Sequence, residues 1–180
     1  AKVTLIDALG KRGNPLASAA LLLQSSSTDP ATLKSSYIAL IRTATAADLP
    51  RLTTTLLAIG DDTLRRSCAV YLAQFIQRME DQNSAVGVLS ETLLKGNLTP
   101  AQKATLVTLL SACPTPESLD RIVGLQNESL PALKDAVVSA LASWPDSTVW
   151  KPLLNVFEAS DTPAHRSQAL RALLEIQMEE

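Results

Sequence analysis

The stretch KDAVVSAL, residues 134–141, places a lysine ahead of apolar residues three, four and seven positions later. Val137, Val138 and Leu141 therefore share one face of an α-helix, because positions three and four apart are neighbours on a helix surface. The pattern occurs six times, and all eighteen of its apolar places are filled. It begins at Lys2, Lys34, Arg65, Lys103, Lys134 and Arg166. The intervals of 32, 31, 38, 31 and 32 residues predict stacked helical hairpins.

Further apolar stripes lie between these six helices. Leu49, Leu52 and Leu56 form one such stripe, and Leu119, Ile122 and Val123 form another. No segment alternates apolar and polar residues over the length of a strand. We therefore predict about eleven helices, arranged as one unpaired helix followed by five hairpins. The expected fold is a single all-α domain over residues 1–180, a right-handed α-α superhelix or solenoid.

Helix boundaries are marked by caps and by glycines. Three pairs place a capping residue beside a proline of the first turn, and Asp146 is placed to cap a helix that runs to about Ala159. The three pairs are Asp29-Pro30, Thr99-Pro100 and Thr162-Pro163. Glycine is favoured just beyond a helix end, and four glycines are expected there. They are Gly13, Gly60, Gly96 and Gly124.

Composition narrows the classes of function. Apolar residues make up 46% of the chain and aromatic residues 3%, so the core is aliphatic. The net charge is −2 and the charges alternate in sign, so the basic stripe expected of a nucleic-acid binder is missing. No apolar run approaches the roughly 20 residues that a membrane-spanning helix needs. Cys68 and Cys113 fall at opposite ends of equivalent helices, which predicts two buried or partly buried thiols and no disulfide.

Both ends of the repeat series look incomplete. The first helix has no hairpin partner, the chain starts at Ala1 without a methionine, and it stops soon after Leu173. A free-standing array of repeats carries polar capping repeats, and neither end shows one. We therefore expect the chain to be a fragment of a longer protein, or its ends to be covered by something else.

The sequence predicts no catalytic, cofactor or metal site. His165 is the only histidine, and its neighbours place it in a solvated first turn without a nucleophile or an orienting group in sequence reach. One histidine and two separated cysteines do not supply zinc-site spacing. No glycine-rich phosphate loop or nucleophile elbow is present.

With the repeats laid out, the chain resembles HEAT-repeat proteins, which belong to the armadillo-like α-solenoids, over essentially its whole length. In such proteins an acid in the turn of each hairpin precedes a basic residue of the second helix, and the two help to form a polar ladder between repeats. The matching pairs are Asp29 with Lys34, Asp61 with Arg65 or Arg66, and Asp161 with Arg166. The departures are Thr99 before Lys103, and Glu128 or Ser129 before Lys134.

A narrower resemblance lies in the last two repeats. The run ASWPD at 142–146, the pair Leu153-Leu154 and the segment 166–173 are similar to HEAT segments of large secreted or cell-envelope bacterial proteins. Some of those proteins also carry a sugar-binding or 3-keto-disaccharide hydrolase domain. This resemblance implies an extracytoplasmic location, periplasmic or secreted, and an accessory role beside a carbohydrate-processing domain.

The function expected from the sequence is that of a non-catalytic scaffold or protein-interaction module within a larger protein. Its partners would be another protein or flanking domains of the same chain; neither a nucleic acid nor a small-molecule ligand is expected. The alternatives are an accessory segment of a carbohydrate-processing protein and shape-based binding of nucleic acid. No set of binding residues follows from the sequence. Trp150 and Arg171 come nearest, and packing explains Trp150 equally well.

Overall fold

The computed structural model describes residues 2–95, 97–128 and 130–179, and within these ranges the chain is helical and contains no strand. The all-α class and the predicted number of helices are confirmed. The eleven helices are α1 (Lys2–Arg12), α2 (Ser18–Gln24), α3 (Pro30–Thr43), α4 (Leu49–Leu57), α5 (Asp62–Gln77), α6 (Gln82–Leu94), α7 (Pro100–Ser111), α8 (Pro116–Gly124), α9 (Pro131–Ala142), α10 (Trp150–Ala159) and α11 (Pro163–Glu179). Short 3₁₀ turns at Pro15–Ala17, Ala46–Asp48 and Ser147–Val149 precede α2, α4 and α10.

The chain divides into two compact units, residues 1–92 and 93–180. In the first unit α1 packs on α3 and α3 on α5, while α2 packs on α3 and α4 on α5. In the second unit α7 packs on α9 and α9 on α11, while α8 packs on α7 and α9, and α10 on α9 and α11. Each unit thus places the helices that carry the basic-apolar pattern side by side. One domain over residues 1–180 stays a prediction.

The apolar places of the repeated pattern form much of the core. Thirteen of the eighteen are buried and three are half-buried. The two that are exposed are Leu5, at 62%, and Leu170, at 42%. They lie on α1 and α11, the first and last helices of the series.

Three of the four capping residues predicted from the sequence form cap hydrogen bonds, and the fourth, Thr162, directly precedes α11. The Asp29 carboxylate accepts the Thr32 amide at 2.9 Å and also the Thr32 hydroxyl, and these two hydrogen bonds, the hydroxyl's first, lower the pKa of Asp29. Thr99 and Gln102 cap each other reciprocally at the start of α7. Asp146 caps the 3₁₀ turn that leads into α10, and α10 ends at Ala159 as predicted.

The glycines predicted at helix ends also lie there. Gly13 directly follows α1 with φ +62°, a left-handed conformation that glycine adopts without strain. Gly60 follows α4 by three residues, and Gly124 is the last residue of α8. Gly96 lies outside the described residues.

Helices α1 and α3 lie in close contact at Gly10. A β-carbon built on Gly10 would lie 2.7 Å from the β-carbon of Ala39 and 2.8 Å from its α-carbon. The second of these atoms is backbone, so a side chain at residue 10 must push the two helices apart. Gly87 in α6 is the contrasting case, because a β-carbon there meets nothing within 4 Å.

We predict opposite effects for the same substitution at these two glycines. Gly10→Ala should destabilise the first unit by about 1–3 kcal/mol, the usual cost of overpacking. Gly87→Ala should stabilise it by about 0.5–1 kcal/mol, because alanine lowers the entropy of the unfolded chain. Urea unfolding followed by circular dichroism measures both. Equal stability of the two variants would contradict the close packing of α1 on α3.

Both cysteine side chains are buried, and neither forms a disulfide, as the sequence predicted. Burial raises the pKa of Cys68 to about 11, although the positive charge of Lys34 works against the increase. Burial also raises the pKa of Cys113, to about 12. The thiolate is the reactive form of cysteine, so both side chains are nearly inert near neutral pH.

We predict that iodoacetamide at pH 8 leaves both thiols unmodified in the folded protein. Because each pKa lies well above 8, only about a thousandth or less of either thiol is ionised, and burial also blocks the reagent. Both cysteines should react within minutes in concentrated guanidinium, which serves as the control. Mass spectrometry counts the added groups. Rapid modification of either cysteine without denaturant would place that side chain at the surface.

Candidate functional site

A cleft of about 610 Å³ opens within the second unit, between the α8–α9 hairpin and the α10–α11 hairpin. Its size falls in the range of ligand-binding clefts. The floor is aliphatic, supplied by Val123, Val137, Val138 and Val156. The rim is polar, and its members include Asn127, Lys134, Asn155, Glu158, Ser160 and His165.

His165, at the edge of this cleft, is buried rather than solvated. Only 8% of the residue is exposed. Its Nε2 atom lies 2.6 Å from Oδ1 of Asp135 on α9, and its Nδ1 atom lies 3.5 Å from Oγ of Ser160. The expectation that His165 is solvated is therefore wrong, although Pro163, Ala164 and Arg166 beside it are exposed. The cause is tertiary, since α9 supplies a carboxylate to His165 from thirty residues earlier in the chain.

Serine, histidine and aspartate are the residue types of nucleophilic acyl transfer. That chemistry requires Ser160 to pass its proton to His165. Proton transfer from a serine to a histidine needs the two atoms within about 2.6–3.2 Å. The Ser160–His165 distance exceeds this range, and the Ser160 oxygen already accepts the Thr162 amide at 3.2 Å. Ser160 thus shapes the turn between α10 and α11, and His165 fastens the start of α11 to α9.

Other polar contacts join neighbouring hairpins in the second unit. The Gln168 amide of α11 donates to the Ser139 hydroxyl of α9 at 3.4 Å. The Gln126 amide donates to the Pro152 carbonyl of α10 at 3.2 Å. In the first unit the Arg78 guanidinium donates to the Ile41 carbonyl of α3.

One ion pair links the turn after α8 to α7. The Lys103 ammonium donates to both carboxylate oxygens of Glu128, at 2.8 and 2.9 Å. Both side chains are about one-third exposed or less, at 26% and 33%. The sequence departs from the HEAT pattern at Lys103, because Thr99 rather than an acid precedes it. Lys103 nevertheless makes this bidentate contact between neighbouring hairpins.

The acid–base pairs expected from the HEAT resemblance are not the contacts that form. Arg65 pairs with Asp62 and donates to the Ile59 carbonyl, whereas Asp61 accepts the Leu64 amide at 2.7 Å. Across the described residues, no hydrogen bond or ion pair joins Asp29 to Lys34 or Asp161 to Arg166. The turn acids act mainly as helix caps because the free amides of the first turn lie closer than the basic side chains. Ser129, the other expected partner of Lys134, lies outside the described residues.

The basic residue of the last pattern contacts an aromatic ring. The Arg166 guanidinium lies over the ring of Phe157, 5.6 Å from its centroid, in a cation–π arrangement. This contact joins α11 to α10 without a carboxylate.

The two residues that came nearest to binding candidates lie in different settings. Trp150, the first residue of α10, is half-buried. Arg171 is exposed and lines a smaller cleft of about 230 Å³ between α9 and α11, together with Ser139, Gln168 and Glu175. Trp150 does not line this smaller cleft.

The described ranges show neither a metal-binding cluster nor a membrane-spanning helix. No three histidine, cysteine, aspartate or glutamate side chains there gather closely enough to hold a metal ion. None of the described helices combines the length and apolar character required to cross a bilayer.

Comparison with protein-family models, with curated proteins and with solved structures finds no match. The HEAT resemblance therefore stays a prediction based on the repeat.

We predict that His165 and Asp135 stabilise the second unit as a coupled pair. Each alanine substitution should lower the free energy of unfolding, and the double variant should lose less than the sum of the two. The coupling should be about 0.5–1 kcal/mol, because Asp135 is largely exposed and solvent screens the pair. Urea unfolding of the four proteins gives the coupling. Strict additivity would mean that the contact contributes nothing.

Proposed function

We propose that the chain is a non-catalytic interaction module whose last helix binds an amphipathic helix of a partner protein. The predicted right-handed solenoid of HEAT-like repeats is the scaffold in this proposal. The observation that carries it is a row of exposed apolar side chains along α11.

This row, the α11 stripe, consists of Leu170, Leu174 and Met178, which are 42%, 51% and 86% exposed. Residues four apart lie above one another on a helix, so the stripe runs for about 12 Å along α11. On the inward face of the same helix, Ala169, Ala172 and Leu173 are buried. Helix α11 is thus apolar on two faces, and one of them meets solvent.

The chemistry of the stripe suits a helical partner. An apolar row flanked by charges matches the apolar face of a second helix with its own charged margins. The flanking charges are those of Arg171 and Glu175, both exposed. A partner helix with an acid near Arg171 and a base near Glu175 would satisfy both.

Binding should be lost when the stripe is made acidic. We predict that the double substitution Leu170→Glu and Leu174→Glu abolishes capture of partner proteins from an extract of the producing organism. Each protein captured by the unsubstituted chain is then purified, and its Kd is measured by isothermal titration calorimetry. We expect the double variant to weaken binding at least about 100-fold, since exposed apolar anchors often dominate an interface.

A matched control separates specific binding from general stickiness. Leu16→Glu changes a leucine that is 87% exposed outside the stripe, and it should leave the measured Kd unchanged. The double variant should keep the unfolding free energy within about 0.5 kcal/mol, as is usual for exposed positions. The proposal fails if every captured protein binds the double variant as tightly as the unsubstituted chain.

A further inference from the structure

The turn between α10 and α11 differs from the turn between α8 and α9 in the place of its acid: Ser160 stands where Glu128 does, and Asp161 stands one residue further along. Glu128 precedes Lys134 by six residues and Ser160 precedes Arg166 by six, so the two occupy equivalent places in successive hairpins. Glu128 binds the ammonium of Lys103, the first residue of the pattern in α7, through both carboxylate oxygens. In the next hairpin Lys134 corresponds to Lys103 and Ser160 corresponds to Glu128. Ser160 carries no charge, so it cannot form an ion pair with Lys134.

Lys134 therefore stands beside the cleft without the internal carboxylate that Lys103 has. Its side chain is exposed, and it makes no ion pair with any residue that the structure describes. Both Lys134 and Ser160 line the cleft of about 610 Å³. His165, the other basic group at this rim, is already engaged by Asp135 at 2.6 Å.

We infer that this cleft binds a carboxylate on an aliphatic stem, with Lys134 as the receptor for the negative charge. A lysine ammonium and a carboxylate form a charge-assisted hydrogen bond, which is stronger than one between neutral groups. The buried side chains of Val137 and Val138 form an apolar floor for the stem. In this site a ligand would provide Lys134 with a carboxylate, as Glu128 provides one to Lys103 in the preceding hairpin.

The rim also sets the charge that a ligand can carry. Glu158 is exposed and lines the same cleft, so its carboxylate repels any negative charge of a ligand, and Lys134 offsets only one such charge. The amides of Asn127 and Asn155 add neutral hydrogen-bonding groups. A monocarboxylate is therefore favoured over phosphate or a dicarboxylate.

Two sources could supply such a group: the side chain of a glutamate in a partner protein, or a free short-chain acid. Both present one carboxylate on a short aliphatic stem. The site uses none of the residues of the α11 stripe, so it stands whether or not the proposed helix partner exists. Failure of one proposal leaves the other intact.

The test is an NMR titration of the ¹⁵N-labelled chain with three compounds. These are butanoate, N-acetylglutamate N-methylamide, and the glutamine analogue of the second compound, which has the same shape without the charge. We expect saturable shifts of the amide signals of Lys134, Asn155 and Ser160, with a Kd of about 1 mM for a carboxylate. Binding by both acids indicates that a free acid suffices, and binding by the glutamate compound alone indicates a protein side chain.

Two variants and one control complete the design. Lys134→Met should weaken binding by about tenfold or more, whereas Lys151→Met, at an exposed lysine of α10 away from the cleft, should not change the Kd. Ser160→Glu should abolish binding, because it supplies a carboxylate within the chain. The inference is overturned if the glutamine compound binds as tightly as its acid. It is equally overturned if Lys134→Met keeps the Kd, or if inorganic phosphate binds more tightly than butanoate.

Discussion

The side-by-side packing of the patterned helices is the constraint on which the remaining features of each unit depend. A helix with an aliphatic stripe gains stability only when a neighbour covers the stripe, since the hydrophobic effect scales with the area removed from water. At Gly10 the helices α1 and α3 are close enough that no β-carbon fits between them. Such an approach fixes the spacing of the helices, and the spacing then decides which polar side chains can meet.

In the second unit, polar contacts likewise follow the packing of its own helices rather than the order of residues along the chain. Lys103 meets Glu128, and Asp135 meets His165, in both cases across neighbouring hairpins. At the equivalent place in the next hairpin stands Ser160, which lines the cleft together with Lys134 and carries no charge.

The helices and their boundaries could be predicted from the sequence because their causes are local. Spacings of three and four residues produce the stripes, and Asp29, Thr99 and Asp146 act on amides within three residues of themselves. The burial of His165 could not be predicted in this way, because its partner Asp135 comes from the preceding patterned helix. The ladder between repeats that the HEAT resemblance implies stays a prediction; within their own hairpins Asp29 and Asp61 bind backbone amides of the following helix. Comparing Glu128 with Ser160 at matched repeat positions is the sequence signal that could have found the cleft.

The serine, histidine and aspartate of the second unit show why residue types alone do not define a site. A histidine held by a carboxylate can serve as a base only if its other nitrogen reaches a hydroxyl that is ready to lose a proton. Here the Ser160 oxygen lies 3.5 Å from the histidine nitrogen, beyond the usual reach of proton transfer, and it also accepts the Thr162 amide. In this geometry Ser160 organises the turn, and His165, bound to a carboxylate of the neighbouring hairpin, joins two helices. Both roles favour rigid spacing between hairpins, and the interaction surface proposed for α11 would need that rigidity to keep its side chains in place.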